Sequence, residues 1–482
     1  MTTTEAGPRH LHHLIGGEPG GEPSVERFNP ADPEDLVSVT PVGTPDDVVA
    51  AVAAAAAAQP AWAGRTGPAR GAVLRQAAEL LRARADEAAR DLTREEGKTL
   101  AEARGEVLRA ADILSYHGGE AWRTSGETLP SATPSTLVYT RREPIGVVAV
   151  ITPWNFPIAI PAWKIAPALV SGNAVVFKPA SMTGVSARHL VDVLVEAGLP
   201  PGVINVIYGA GGQVGDALVD DPGVGAITFT GSTAVGLGIH RRASERMVRV
   251  QLEMGGKNPL VVLDDADPAV AARIAAVGGW GLTGQACTAT SRVIATPGAV
   301  GPFVDAMRAE AERYRPGNGL HDGVLMGPVV SESQLATDLS YVDIARQDGG
   351  EVVLGGDADG LRFAPTLVGS VRPDDRIAVE EVFGPVISVI EASNIDEAVA
   401  VANDVPYGLC AGICTRDLAS AHVFAERVRA GVVKVNRPTT GLDLNVPFGG
   451  IKASSTGTFR EQGASAVDFF TWSKSVYLGF DG

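Results

Sequence analysis

One cysteine of this chain stands in a setting suited to covalent chemistry. Cys287 lies in TGQACTATSR among small and polar residues, far along the chain from Cys410 and Cys414 in GLCAGICT. A thiolate attacks carbonyl carbon, and the reaction then needs a base and a donor for the oxyanion that forms. Candidates for both lie elsewhere in the chain. Glu253, in QLEMGGKNP, is set among apolar residues and paired glycines, where desolvation lifts a carboxyl toward the range of a general base. Asn155, in TPWNFP, is held between bulky aromatics and prolines, so its amide can donate to a developing oxyanion. Lys178 closes an apolar run just before Pro179, and Glu381, in EEVFGPV, stands beside Phe383; both types suit a cofactor's hydroxyl or phosphate groups. Each residue has a plain alternative: a small buried thiol, a surface strand-end glutamate, a turn asparagine, an exposed loop lysine, a solvated acidic pair.

The elements that must position these groups follow from the apolar pattern. From Gly146 onward, short apolar runs (GVVAVI, AVVFK, GVINVIYG, AITFT) alternate with amphipathic stretches such as IPAWKIAPALVSG and GVSARHLVDVLVEAGLP. That alternation predicts βαβ units, a parallel sheet covered on both faces and a ligand crevice beyond the carboxyl ends of its strands. TPWNFP, Lys178, GAGGQVG and TGS all fall at such ends. A second series begins near Gly256 with NPLVVLDDAD. The usual dinucleotide glycine fingerprint is absent: Gly209 to Gly215 has the wrong spacing and follows the third strand, while GSTAVG, Gly231 to Gly236, opens a helix whose amides can hold an anion.

Before Glu143 the pattern reads as mostly helical. Thr44 is the expected cap of an alanine-rich helix ended by Pro60, and the stretch from Met1 to Pro23, with His10, His12 and His13, reads as a frayed polar tail rather than a metal tract. STLVYTRREP and the end of the chain from about residue 465 read as strand-like arms for pairing with another subunit. The expected division is 1–121 with 145–255 as the dinucleotide-binding domain, 256–453 as the catalytic domain, and 122–144 with 454–482 as an oligomerisation arm.

Composition narrows the functional classes. A formal net charge of -16 argues against nucleic acid and anionic membrane as partners. Three cysteines in 482 residues make no disulfide framework, and C-x3-C without a second ligand pair makes no zinc site, so no metal is expected. The N-terminus lacks the apolar run of a signal peptide and no run is long enough to span a bilayer. A cytoplasmic enzyme is the expectation.

Together these segments resemble the aldehyde dehydrogenase superfamily over essentially the whole chain. The resemblance rests on TPWNFP (152–157), FKP (177–179), FTGS (229–232), LEMGGKNP (252–259), GQACTATSR (284–292), EEVFGPV (380–386) and VPFGG (446–450), in the family's order. It implies an α/β fold with a five-stranded dinucleotide domain lacking the glycine fingerprint, a second α/β catalytic domain and a small β arm. It implies Cys287 as nucleophile, Glu253 as general base, Asn155 as oxyanion donor, and Lys178 and Glu381 at the cofactor's riboses. The matched cofactor-binding positions are Ile151, Thr152, Pro153, Trp154, Lys178, Ser181, Gly211, Gly215, Phe229, Thr230, Gly231, Ser232, Leu252, Gly255, Glu381 and Phe383.

The same resemblance implies oxidation of an aldehyde to an acid through a thiohemiacetal and a thioester, with NAD or NADP as acceptor, in a homodimer or homotetramer. Ser181 stands where NAD-preferring relatives commonly carry a glutamate, so NADP is preferred and NAD tolerated. Matched substrate positions are Phe156, Ile160, Trp163, Ala286, Thr288, Arg437 and Phe448. The late stretches VNRPTTGLDLNVPFGG and SSTGTFREQG look like those of bacterial α-ketoglutaric and succinic semialdehyde dehydrogenases. On that match Arg437 is the expected carboxylate anchor and Ala286, beside the nucleophile, leaves the pocket open. A neutral aliphatic or aromatic aldehyde is the alternative substrate. An esterase using the same cysteine, or a non-catalytic binding relative, is the alternative class; the latter would be expected to have lost Cys287 or Glu253.

Overall fold

A computed structural model describes residues 7–480. Five parallel strands form the centre of the first sheet, in the spatial order Arg249–Glu253, Ala226–Thr230, Val147–Ile151, Ala174–Lys178, Ile204–Val206. Four of the five are buried throughout, as a helix-covered parallel sheet requires, and the edge strand Arg249–Glu253 is buried from Gln251 onward. The chain leaves Val147–Ile151 in one direction and later returns on its other side through Ala226–Thr230. The topological switch therefore falls where TPWNFP and TGS leave the sheet.

Two short strands, His13–Ile15 and Glu18–Gly20, extend this sheet antiparallel, and Arg9–His10 pairs with Asp32–Pro41. This corrects the expectation of a frayed N-terminal tail, of which Met1 to Ala6 lie outside the described residues. His13 is fully buried and its Nδ1 accepts from the Tyr208 N–H at 3.2 Å. Gly16 and Gly17, both at positive φ, make the turn that folds the two strands together. The mostly helical reading before Glu143 also missed Pro23–Asn29 and Asp32–Pro41, whose alternation is interrupted by prolines, aspartates and register shifts.

The helix Pro45–Ala63 starts as expected, with Thr44 and Asp47 forming a capping box, but it runs through Pro60 to Ala63. In that last turn Trp62 is buried and its indole donates to the Leu169 carbonyl at 2.9 Å, an anchor that carries the helix past the proline.

The second sheet has the spatial order Glu351–Leu354, Thr366–Gly369, Val386–Glu391, Thr290–Ala295, Asn258–Val262, Cys410–Cys414, Val432–Val435, and is parallel except at its first strand. Thr136–Pro144 and Thr471–Gly479 pair antiparallel along their whole lengths, from Thr471 opposite Pro144 to Gly479 opposite Thr136. Between these parts, Ala466–Phe470 is a short helix whose Phe469 and Phe470 pack into the core of the first sheet.

Candidate active site

The loop that carries Cys287 is strained and pinned from several directions. Leu282 and Thr283 have φ of 54° and 55°, left-handed values that are costly for a leucine and more so for a β-branched threonine. The surroundings hold them there. Glu102 Oε1 accepts the Leu282 N–H at 2.7 Å, the Thr283 hydroxyl donates to the Gly327 carbonyl at 3.1 Å, and Gln285 Oε1 accepts the Val330 N–H at 2.9 Å. At Gly284 a Cβ would collide with the Gly384 carbonyl, so only glycine lets the two loops touch. Cys287 itself is partly exposed, unlike the buried Cys410 and Cys414. Burial of its surroundings, with the charges of Glu381, Glu253 and Glu461, pushes its thiol up to about 12.

Asn155 lies against this loop. Its Nδ2 donates to the Gln285 carbonyl at 2.9 Å, and its own carbonyl is held by the Lys98 ammonium at 2.6 Å. Lys98 in turn pairs with Glu106 at 2.7 Å, and Glu106 accepts the N–H groups of Ile158 and Ala159. A buried salt bridge thus fixes the backbone on both sides of the amide. The Cys287 carbonyl is taken by Asn258 Nδ2 at 2.8 Å, while the Cys287 N–H has no acceptor among the described residues. That leaves this N–H and the second Asn155 amide hydrogen as donors beside one thiol.

Glu253 ends its strand with one oxygen satisfied, by the Gly450 N–H at 3.0 Å, and Oε1 without a partner. Burial first and the neighbouring Glu461 second raise its pKa to about 8. Glu461 is itself salt-bridged to the fully buried Lys164, which also donates to the Thr228 hydroxyl at 2.9 Å. A Cβ on Gly449 would lie 2.6 Å from Glu253 Oε1, so the VPFGG glycine keeps the carboxylate's free oxygen uncrowded.

The crevice at the strand ends has the donor set of a nucleotide site. Lys178 is buried, its ammonium finds only the Pro179 carbonyl, at 2.9 Å, among the described residues, and burial lowers its pKa to about 8. The buried hydroxyls of Thr152 and Thr230 have no partner among the described residues. Trp154 and Phe383 stand edge to face with ring centroids 5.5 Å apart. Glu381 folds over Gly255, where a Cβ could not fit beside its carboxylate, and accepts the Gly256 N–H at 2.8 Å; its second oxygen accepts none. Gly211–Gly215 is a single π-helical turn at the rim, and Ser232 stands at the start of the helix Thr233–Glu245, behind Gly231, without a side-chain bond to its amides. These groups fit a nicotinamide nucleotide: hydroxyl acceptors and donors, an ammonium and a helix start at one strand-end crevice. The side chains of Ile151, Phe229 and Leu252 face the hydrophobic core instead, so only their backbone can border that crevice. Pro153 is half-buried at the edge, and the exposed Ser181 donates to the Gly209 carbonyl at 3.0 Å.

On the other side of Cys287 lies a cavity of about 560 Å³ walled by Phe156, Ile160, Trp163, Thr288 and Phe448. Two of the matched substrate residues are not in its wall. Ala286 is buried instead with Gly256, Glu381 and Phe383, on the side of the crevice. Arg437 is exposed and its guanidinium donates to its neighbour's carbonyl, Asn436, at 3.1 Å. The cavity instead receives Glu102, Glu106 and Arg109 from the helix Leu100–Glu120. Their spacing, i, i+4 and i+7, is one helical stripe and was legible as such; Lys98, Lys164 and Glu461 carry no comparable local signal.

Comparison with known proteins agrees with this geometry. Residues 18–476 match the aldehyde dehydrogenase family. The alpha-ketoglutarate semialdehyde dehydrogenase of Haloferax volcanii is 49% identical, over 94% of this chain and 95% of its own. The alpha-ketoglutaric semialdehyde dehydrogenase of Bacillus subtilis is 44% identical, over 94% of both. The crystal structure of an NAD-dependent aldehyde dehydrogenase from Sinorhizobium meliloti superposes with a TM-score of 0.95 at 35% identity, covering 98% of this chain and 95% of that one. No helix among the described residues is long and apolar enough to cross a membrane. With the fold, the strand-end crevice and the thiol between two clefts in agreement, the chain belongs to the aldehyde dehydrogenase family, enzymes that oxidise small aldehydes with NAD or NADP.

Proposed function

We propose that this enzyme oxidises a carboxylate-bearing semialdehyde, α-ketoglutaric semialdehyde, to the dicarboxylic acid, with Cys287 as nucleophile. The observation that carries the chemistry is the partly exposed thiol between a nucleotide crevice and an open cavity, with free donors and a half-free carboxylate beside it. Cys287 Sγ, losing its proton to solvent at its exposed face, bonds to the aldehyde carbon. The negative oxygen of the thiohemiacetal is held by the Asn155 amide and the Cys287 N–H. Bound NAD or NADP supplies the hydride acceptor that takes the adduct from thiohemiacetal to thioester. Glu253 then removes a proton from water, which attacks the thioester and releases acid and thiol.

The substrate reading rests on the relatives, named for α-ketoglutaric semialdehyde at 44–49% identity. For the acceptor, we take NADP as preferred and NAD as tolerated, because residue 181 is a serine and presents no carboxylate to repel a 2′-phosphate. The Ser181 hydroxyl must turn from the Gly209 carbonyl to donate to that phosphate. The paired strands Thr136–Pro144 and Thr471–Gly479, with Trp472, Tyr477 and Leu478 exposed, suit a dimer or tetramer contact in a cytoplasmic enzyme. An aldehyde panel with both nucleotides tests the reading. Saturation by α-ketoglutaric semialdehyde well below the concentration needed for pentanal is expected; saturation by neutral aldehydes alone would refute it.

A further inference from the structure

We propose that Arg109, from the helix Leu100–Glu120, is the residue that seats the remote carboxylate of the substrate. This rests on the semialdehyde reading above and replaces Arg437, which lies outside the cavity.

The argument begins with the charges that line the cavity. Glu102 and Glu106 line it, so an anionic substrate needs a cation there, and their oxygens are already engaged with the protein. Glu102 Oε2 accepts the N–H and hydroxyl of Thr99, and its Oε1 accepts the Leu282 N–H. Glu106 Oε1 accepts the N–H groups of Ile158 and Ala159, and its Oε2 pairs with Lys98. Both carboxylates are therefore committed to holding the Cys287 and Asn155 loops. Lys98 is equally committed, fully buried between Glu106 and the Asn155 carbonyl.

Arg109 differs from all three. It is half-buried, lines the same cavity as Cys287, and makes one side-chain hydrogen bond, to Gln462 Oε1 at 3.1 Å. No carboxylate lies within ion-pair distance of it among the described residues. Asp443 is exposed, and Asp112 is already paired with Arg82. A guanidinium has five N–H donors, so most of this one's capacity remains for a ligand. The bond to Gln462, which is buried, fixes the plane of the fork. Partial desolvation lowers its pKa from the ordinary value, only partly offset by Asp443 and Asp112. An incoming carboxylate would relieve that cost, and an arginine meets a carboxylate in a two-point geometry that a lysine cannot match. Along the helix Arg109 is about 4.5 Å beyond Glu106, so it stands one turn farther from the residues that grip the nucleophile's surroundings. Cys287 and Arg109 line one cavity, so an aldehyde held at the thiol can turn its far end to this guanidinium.

The test uses the full-length enzyme with its nucleotide. The ratio of kcat/KM for α-ketoglutaric semialdehyde to that for pentanal is measured in the wild type, Arg109→Met and Arg109→Gln. Inhibition by glutarate, competing with pentanal, is measured in parallel. Both variants are expected to lower the ratio roughly tenfold to a hundredfold, the scale of a lost charge-assisted hydrogen bond, through KM rather than kcat. Glutarate inhibition should weaken by a similar factor, and Arg109→Lys should recover part of both. An unchanged ratio and unchanged glutarate inhibition in both variants would overturn the assignment. A wild type that shows no preference for the semialdehyde would instead overturn the substrate reading, whatever the variants do. Arg109→Gln removes the charge and the fork but keeps a polar side chain, so it keeps the test valid if the Met variant fails to fold.

Discussion

The two clefts that meet at Cys287 are built in different ways. The nucleotide crevice stands on the ends of regular parallel strands, and its groups follow one another at strand-to-helix junctions: TPWNFP, Lys178, TGS. The substrate cavity has no such frame. Its wall combines the helix Leu100–Glu120, the start of the helix Ala159–Val170 and a stretch near 440–448, brought together only by tertiary packing. The crevice faces a ligand whose shape is fixed, so the scaffold itself places the contacts. The cavity faces a variable ligand, and its distinguishing charge, Arg109, rides on a helix otherwise committed to bracing the nucleophile loop.

If that contrast holds, changes on the two sides should separate cleanly. The largest effect is expected at the junction itself. Asn155→Ala removes an oxyanion donor and should lower kcat by roughly 10²–10³-fold with both nucleotides and every aldehyde; a loss confined to one nucleotide or one aldehyde would assign Asn155 to one cleft only. On the crevice side, Ser181→Glu should lower the NADP-to-NAD ratio of kcat/KM by roughly a hundredfold through like-charge repulsion, leaving aldehyde selectivity alone. A change in aldehyde selectivity would show that the clefts are coupled.

The smallest effect concerns the base between them. Glu253 is raised to about 8 by burial and by Glu461, and it acts as a base only when ionised, so its step should weaken as pH falls below about 8. Glu461→Gln removes a like charge and leaves Lys164 unpaired, and both changes favour the Glu253 carboxylate. The acidic limb of kcat should then move down by roughly one pH unit. A limb that stays or moves up would remove Glu253 from that step.

The same contrast explains what could be read from the sequence. Apolar strands with unusual residues at their ends announce a doubly wound sheet and its crevice, and the five parallel strands follow that pattern. Side-chain direction within a loop has no such signature. Ala286 adjoins Cys287 in sequence, yet it lies with Gly256, Glu381 and Phe383 and not in the cavity wall. Arg437 was plausible by charge and position, but its side chain is exposed beside Asn436. Lys164 and Glu461 are almost three hundred residues apart, and only the fold pairs them beneath Glu253. The N-terminal strands were hidden for a different reason: they are too short and too rich in glycine, proline and histidine to show a period.

The central claim is that Cys287 carries the acyl group and Glu253 releases it. Glu253→Gln mixed with NADP and α-ketoglutaric semialdehyde should form one equivalent of NADPH rapidly and then stall. Intact-mass analysis and peptide mapping of the stalled enzyme should find a single acyl group on the peptide containing Cys287, with no adduct in Cys287→Ala. NADPH formed with no adduct, or an adduct on any other residue, would contradict the account.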